Sequence, residues 1–168
     1  MFFISDKMLK NSFSSKDFCE VEKLFQLFEV FLSSIESIEN MKRKIILTGA
    51  FIGMLAIILG AFGAHLLKKY LSVEQLVTFE TGVRYQMYHA FFLFFLSTRK
   101  ELSQKALKTI YNLAVAGVIL FSGSIYLLAT KNLTVFDSKI IVFATPLGGF
   151  LLILAWLGLF VSILKQKS

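Results

Sequence analysis

Between residues 45 and 164 the chain reads as long apolar stretches separated by short charged connections. A helix needs about 20 residues to cross a hydrocarbon core of roughly 30 Å. Three stretches meet that length unaided: Ile45–Leu67, which follows Lys42-Arg43-Lys44; Ala106–Ala129, whose one charge is Lys108 in its first turn; and Ile140–Leu164, closed by Lys165 and Lys167. The second stretch in chain order is different. Its uncharged part, Tyr85–Thr98, rises only about 21 Å as a helix, whereas extension back to Glu80 gives about 28 Å, enough to cross. Glu80 and Arg84 are therefore assigned to the membrane helix. Ser72 with Gln75 fits a capping box, and Leu71 with Leu76 fits a hydrophobic staple, so this helix is expected to begin before Glu80. The pattern predicts an all-α integral membrane bundle of four transmembrane helices, spanning about 45–67, 80–98, 106–129 and 140–164.

Pro146 allows two forms of the last span. In a continuous helix it removes the bond to the Val142 carbonyl and introduces a kink. Alternatively Thr145 is an N-cap and Pro146 the first helical residue of a crossing Pro146–Leu164, where a missing N–H costs nothing. The N-cap form is narrowly favoured. Residues 1–40 stand apart from the four-helix domain of residues 41–168. Val21, Leu24, Phe25, Phe28, Phe31, Leu32, Ile35 and Ile38 fall on one helical face, with Glu22, Gln26, Glu29, Ser33 and Glu36 opposite. Such an amphipathic extension can dock on a partner, although its acidic polar face is wrong for anionic lipid. The competing expectation is an over-called gene start, with Met41 as the true one.

Composition narrows the class. Of 168 residues, 56% are hydrophobic and 17% charged, more apolar surface than a soluble domain of this length can hide. The single Cys19 excludes an intramolecular disulfide and a CxxC metal site, and nothing at Met1 resembles a cleaved signal. The net charge of +7 is divided unevenly: residues 1–40 hold four Lys and seven acids, residues 41–168 fourteen Lys or Arg and four acids. The positive residues flank the apolar stretches, which is a topology signal and argues against nucleic acid as a partner. The face carrying both termini has nine positive residues against five on the other, so both termini are expected in the cytoplasm.

Two sets of residues are candidates for special roles. Gly49, Gly53, Ala56, Gly60 and Ala64 in span 1, and Gly148, Ala155 and Gly158 in span 4, recur at helical spacing, which lets helix backbones approach closely. Intramolecular packing is the expected use; a homo-oligomer or another membrane protein remains the alternative partner beside membrane lipids. The second set is polar: His65, Glu80, Arg84, Tyr85, Tyr88 and His89. Glu80 and Arg84 have the spacing and order of a helical ion pair. His65, His89 and Glu80 supply the residue types of a two-His-one-carboxylate metal set, but about 7.5 Å of helical rise between Arg84 and His89 makes a site shared with Glu80 awkward. Interhelical hydrogen bonding is the expected role of the histidines, so no metal or cofactor is assigned. The chain has no nucleophile and base at recognisable spacing, no phosphate-binding glycine loop and no HExxH, and it is not expected to be an enzyme.

The segments Gly60-Ala61-Phe62-Gly63-Ala64-His65, Phe79 to Ala90, Leu120-Phe121-Ser122-Gly123-Ser124-Ile125-Tyr126 and Thr145-Pro146-Leu147-Gly148-Gly149 resemble the YwdK/YgdD-type family of small bacterial membrane proteins, a domain of unknown function. The resemblance covers essentially Met41–Leu164, and residues 1–40 depart from it. It implies a multi-pass protein of the bacterial plasma (inner) membrane and no activity, substrate or cofactor. The expectation is a non-enzymatic packing, lipid-binding or partner-binding protein. The alternative is a small transporter or channel component with a polar path near Glu80, Arg84 and His89.

Overall fold

The computed structural model describes residues 15–131 and 138–165, with side chains described for 39–131, 141 and 143–165. The described chain is α-helical throughout: α1 (Ser15–His65), a 3-10 turn at Leu67–Lys69, α2 (Val73–Thr98), α3 (Gln104–Ala129) and α4 (Ser138–Leu164). It divides into two compact units, Met1–Asn40 and Met41–Ser168. The side chains from Val21 to Ile38, including the amphipathic face expected there, lie outside the described residues. All four expected spans belong to the second unit.

Glu39–Lys69, α3 and the Phe143–Leu164 part of α4 are each long and apolar enough to cross a membrane. α2 has 26 residues, about 39 Å of rise, so it has the length, but its first half is polar. Its start is set locally. The Ser72 hydroxyl accepts from the Gln75 N–H at 3.2 Å, and the Gln75 side chain accepts from the Ser72 N–H at 3.0 Å, closing a capping box. Leu71 and Leu76 meet in a small apolar cluster with Leu67, Phe79 and Ala129, which completes the expected staple.

Helical periodicity then divides α2 into two faces. Phe79, Gly82, Gln86, His89, Ala90, Leu93, Leu96 and Ser97 are buried, whereas Val77, Glu80, Arg84, Tyr88, Phe91 and Phe95 form an exposed stripe. Small residues of α1 meet the buried face. A side chain at Gly49 would meet the Ala90 carbonyl at 3.2 Å, one at Gly53 the Ala90 methyl at 3.5 Å, and one at Gly60 the Val83 side chain at 3.4 Å, while Ala56 is fully buried. The stripe does not continue through Ala64, which is exposed; the helix turns Gly63 inward instead, where a Cβ would lie 3.1 Å from the Phe79 ring.

α3 and α4 interlock more tightly. A Cβ at Gly148 would lie against the Phe121 nitrogen and 2.8 Å from the Leu120 carbonyl carbon, so α4 touches the α3 backbone itself. Gly117 of α3 returns the contact by receiving Leu152, and a Cβ at Gly158 would lie 3.2 Å from Ile110. Without a hydrophobic drive between helices in lipid, such close van der Waals contact is a main source of association. Ala155, fully buried, lies on the same side. A hydrogen bond of 2.7 Å between Ser124 and Thr145 adds to this seam, and one of 2.9 Å between Thr48 and Tyr111 joins α1 to α3.

Pro146 lies inside α4, which is helical from Ser138. The N-cap form of span 4 is therefore incorrect. Thr145 does not cap: its hydroxyl lies 3.4 Å from the Ile141 carbonyl, one turn back, and 2.7 Å from Ser124. The helix passes through the proline because α3 supports it on both sides, through Ser124 at Thr145 and through Leu120 and Phe121 at Gly148.

Candidate functional site

Three polar side chains lie on the buried face of α2; Ser97 donates to the Phe94 carbonyl of its own helix at 2.6 Å, and the other two are placed very differently. Gln86, 6% exposed, joins three helices. Its amide nitrogen donates to the Ile52 carbonyl of α1 at 2.9 Å, and its amide oxygen accepts from the Tyr126 hydroxyl of α3 at 2.7 Å. A carbonyl can only accept, so the nitrogen must face Ile52 and the oxygen Tyr126. Tyr126 reaches this position because residue 82 is glycine: a Cβ there would stand 2.7 Å from the Tyr126 ring. Phe79 holds the other side of that ring, with centroids 4.8 Å apart.

His89, 5% exposed, is only half satisfied. Its Nδ1 donates to the Tyr85 carbonyl of the preceding turn at 2.8 Å, since a carbonyl cannot donate. In the uncharged ring Nε2 is then a bare lone pair at the far corner. That atom is buried and has no hydrogen-bond partner among the described residues. Leaving a buried acceptor unmatched costs about 1–3 kcal/mol, so it is either a local defect or a place reserved for a donor.

His89 lines a groove of about 690 Å³ formed by α2, α3 and α4, with Tyr85, Phe121, Leu152, Ile153 and Trp156 among its walls. This volume lies within the usual range for small-molecule sites, about 300–1,000 Å³. Two tilted aromatic pairs frame it: Tyr85 on Phe121 at 4.9 Å and Phe92 on Trp156 at 4.6 Å between ring centroids. The α4 wall is open to the side, with Ile153 65% and Phe160 60% exposed. In a membrane that opening faces acyl chains. Among the described residues no carboxylate, lysine, serine or cysteine lines the groove.

The other polar candidates do not gather around His89. His65 is exposed at the end of α1, and Glu80, Arg84 and Tyr88 lie on the outward stripe of α2. The ion pair expected of Glu80 and Arg84 is not formed; Arg84 Nε instead donates to the Glu80 main-chain carbonyl at 3.4 Å. That bond turns the guanidinium toward the start of α2, the direction a long cationic side chain takes to reach the membrane surface. Tyr85 is the candidate that does meet His89 at the groove, and its ring also packs edge-on against Tyr88 at 5.9 Å. Among the described residues no three His, Cys, Asp or Glu side chains come together as a metal site. Gln86, Tyr126 and Trp156 do not stand out in the sequence. For Gln86 a signal exists: it continues the four-residue steps of Gly82, Ala90 and the apolar positions beyond, away from Glu80 and Arg84.

Residues 59–149 match the family model described as "Protein of unknown function (DUF423)". The chain belongs to this family. The matched segment holds Gln86, His89 and Tyr126, the three polar residues on which the two contrasting arrangements rest. The chain is similar to a UPF0382 membrane protein of Haemophilus influenzae, 34% identical over 128 residues, covering 76% of this chain and 99% of the relative. It is likewise similar to UPF0382 membrane protein YwdK of Bacillus subtilis, at 37% over 122 residues, with 71% and 95% covered. The UPF0382 inner membrane protein YgdD of Escherichia coli is 31% identical over 127 residues, with 74% and 92% covered. No solved structure matches the chain. With its apolar helices and these relatives, the protein is a multi-pass membrane protein.

Proposed function

We propose that this protein is a non-enzymatic binding protein of the bacterial plasma membrane, which takes up a membrane-dissolved molecule through the lateral groove between α2, α3 and α4. The observation that carries the reading is the buried, unpartnered Nε2 of His89 on a helix face that lines this groove. Elsewhere on that face polarity is matched, as Gln86 shows, so an unmatched acceptor beside an open apolar groove is better explained by a ligand than by loose packing. Among the described residues the walls hold no nucleophile paired with a base, which supports binding over catalysis. Both termini are assigned to the cytoplasm from the excess of Lys and Arg on their side. A transport path through Glu80, Arg84 and His89 has less behind it, because Glu80 and Arg84 line the exposed stripe of α2 and not the groove.

The test is what stays bound. Full-length protein purified from native membranes in mild detergent should retain an apolar molecule at near one-to-one ratio, detected by native mass spectrometry and solvent extraction. Gly149→Leu should lose it: a Cβ at Gly149 meets only the Phe121 ring at 3.5 Å, ordinary contact, so the longer side chain fills the groove without forcing the helices apart. Equal, non-stoichiometric bulk phospholipid in both proteins would remove the reading.

A further inference from the structure

Resting on that reading, we propose that the groove binds a quinol, with one ring hydroxyl donating to His89 Nε2 and the tail leaving between the exposed residues of α4. Three observations narrow the ligand to this class. The first is polarity. Nδ1 is committed to the Tyr85 carbonyl, so Nε2 of the uncharged ring accepts and requires a donor. A hydroxyl supplies one; a ketone, an ester or an oxidised quinone does not.

The second is depth. His89 lies about 13.5 Å of helical rise from Thr98 and about 24 Å from Val73, the two ends of α2, which puts it at the centre of the expected 80–98 span. Phosphate and carboxylate headgroups stay near the membrane surface, because burying an ionised group is costly. A molecule whose whole body dissolves in hydrocarbon and which carries a neutral hydroxyl can reach that level.

The third is shape. The groove presents Tyr85, Phe121, Trp156 and Phe160, ring faces and edges that favour a flat aromatic partner by offset or edge-on stacking. A branched polyprenol or a diacylglycerol offers the hydroxyl without the flat ring. Nε2 itself is covered, so a wall residue must move for the hydroxyl to arrive. Tyr85 and Trp156, 42% and 52% exposed, are only partly held and are suited to part.

Trp156 is the single tryptophan of the chain, so its fluorescence reports from the groove wall alone. The experiment titrates full-length protein in phosphatidylcholine nanodiscs with decylubiquinol, decylubiquinone, farnesol and dioleoylglycerol. The expected result is a saturable change with decylubiquinol. Half-saturation should be at least tenfold lower than for decylubiquinone, the discrimination expected when one hydrogen bond is lost. His89→Leu should abolish the preference for the reduced form, and Gly149→Leu should abolish saturation altogether. If His89→Leu does not accumulate, Gly149→Leu and the reduced-to-oxidised ratio in the wild type still decide. Equal or tighter binding of the oxidised form overturns the quinol assignment. Saturation by farnesol or dioleoylglycerol but not by decylubiquinol overturns it too, while leaving the binding groove intact. Linear responses to all four probes, with nothing retained after purification, overturn both.

Discussion

Gln86 and His89 lie three residues apart on the same face of α2, at 6% and 5% exposure, and have opposite surroundings. Gln86 sits where α1 and α3 both reach α2, and each polar end of its amide finds a fixed partner. His89 sits one turn on, where α4 forms the opposite wall with Leu152, Ile153 and Trp156 and, among the described residues, makes no hydrogen bond to the imidazole. Burial alone therefore does not separate a structural polar residue from a binding one; what separates them is which helix stands opposite. Inside a membrane the distinction is sharp, because water is not available to satisfy what the protein leaves open. The satisfied side chain ties the bundle together; the unsatisfied one differs from Ser122 Oγ, also buried and without a partner among the described residues, in lining an open groove.

The largest effect is expected from removing the α4 wall on which the contrast depends. Gly148→Leu drives a side chain into the α3 backbone at Leu120 and Phe121. Overpacking usually costs about 1–3 kcal/mol, and here neither neighbour is a flexible side-chain end. The variant should be lost from the folded fraction on fluorescence-detected size exclusion; near-normal yield would mean that α3 and α4 are not in direct backbone contact. Next comes Gln86→Leu, which keeps volume but strands the Tyr126 hydroxyl. Interhelical hydrogen bonds in membranes average about 0.6 kcal/mol, at most about 1.7, and a stranded buried donor adds to that. A loss of about 1–2 kcal/mol in reversible denaturant unfolding is expected. A double-mutant cycle with Tyr126→Phe should show coupling near 1 kcal/mol, and independent effects would break the network as described.

Several of these features could be read from local sequence and others could not. Ser72 and Gln75 announce the start of α2 because a capping box is closed within four residues, and α2 begins at Val73 as that box requires. The second helix has the length to cross only through Glu80 and Arg84, and it does run through both. Their pairing was not legible: i,i+4 spacing permits an ion pair, yet the arginine bonds main chain instead. Pro146 misled for a different reason. Local chemistry makes Thr-Pro a good helix start, but α3 contacts on both sides of the proline keep α4 continuous. Attention to formal charge favoured Glu80 and Arg84 over the neutral Gln86, although charges near lipid turn outward more readily than an amide that three helices can share. Trp156 and the groove depend on how α4 docks, which no spacing within α4 specifies.

The smallest effect is the one that most sharpens the contrast. His89→Leu removes a ring of similar bulk whose only hydrogen bond among the described residues is to the Tyr85 carbonyl. That carbonyl belongs to the preceding turn and retains its helical main-chain donor, so no acceptor is stranded. The variant also removes the unmatched Nε2, and replacing a half-satisfied buried polar group by an apolar one of similar shape is often close to neutral. Unfolding free energy should change by about 0.5 kcal/mol or less, within the range of substitutions that break no structural feature. The measurement is the same denaturant titration used for Gln86→Leu, so the two numbers compare directly. A loss as large as that of Gln86→Leu would show that His89 holds the bundle together through a partner of its own, and the division between the two residues would fail. A loss near zero, beside a clear cost at Gln86, leaves His89 as a residue that folding does not need and makes binding the remaining reason for a histidine at that depth.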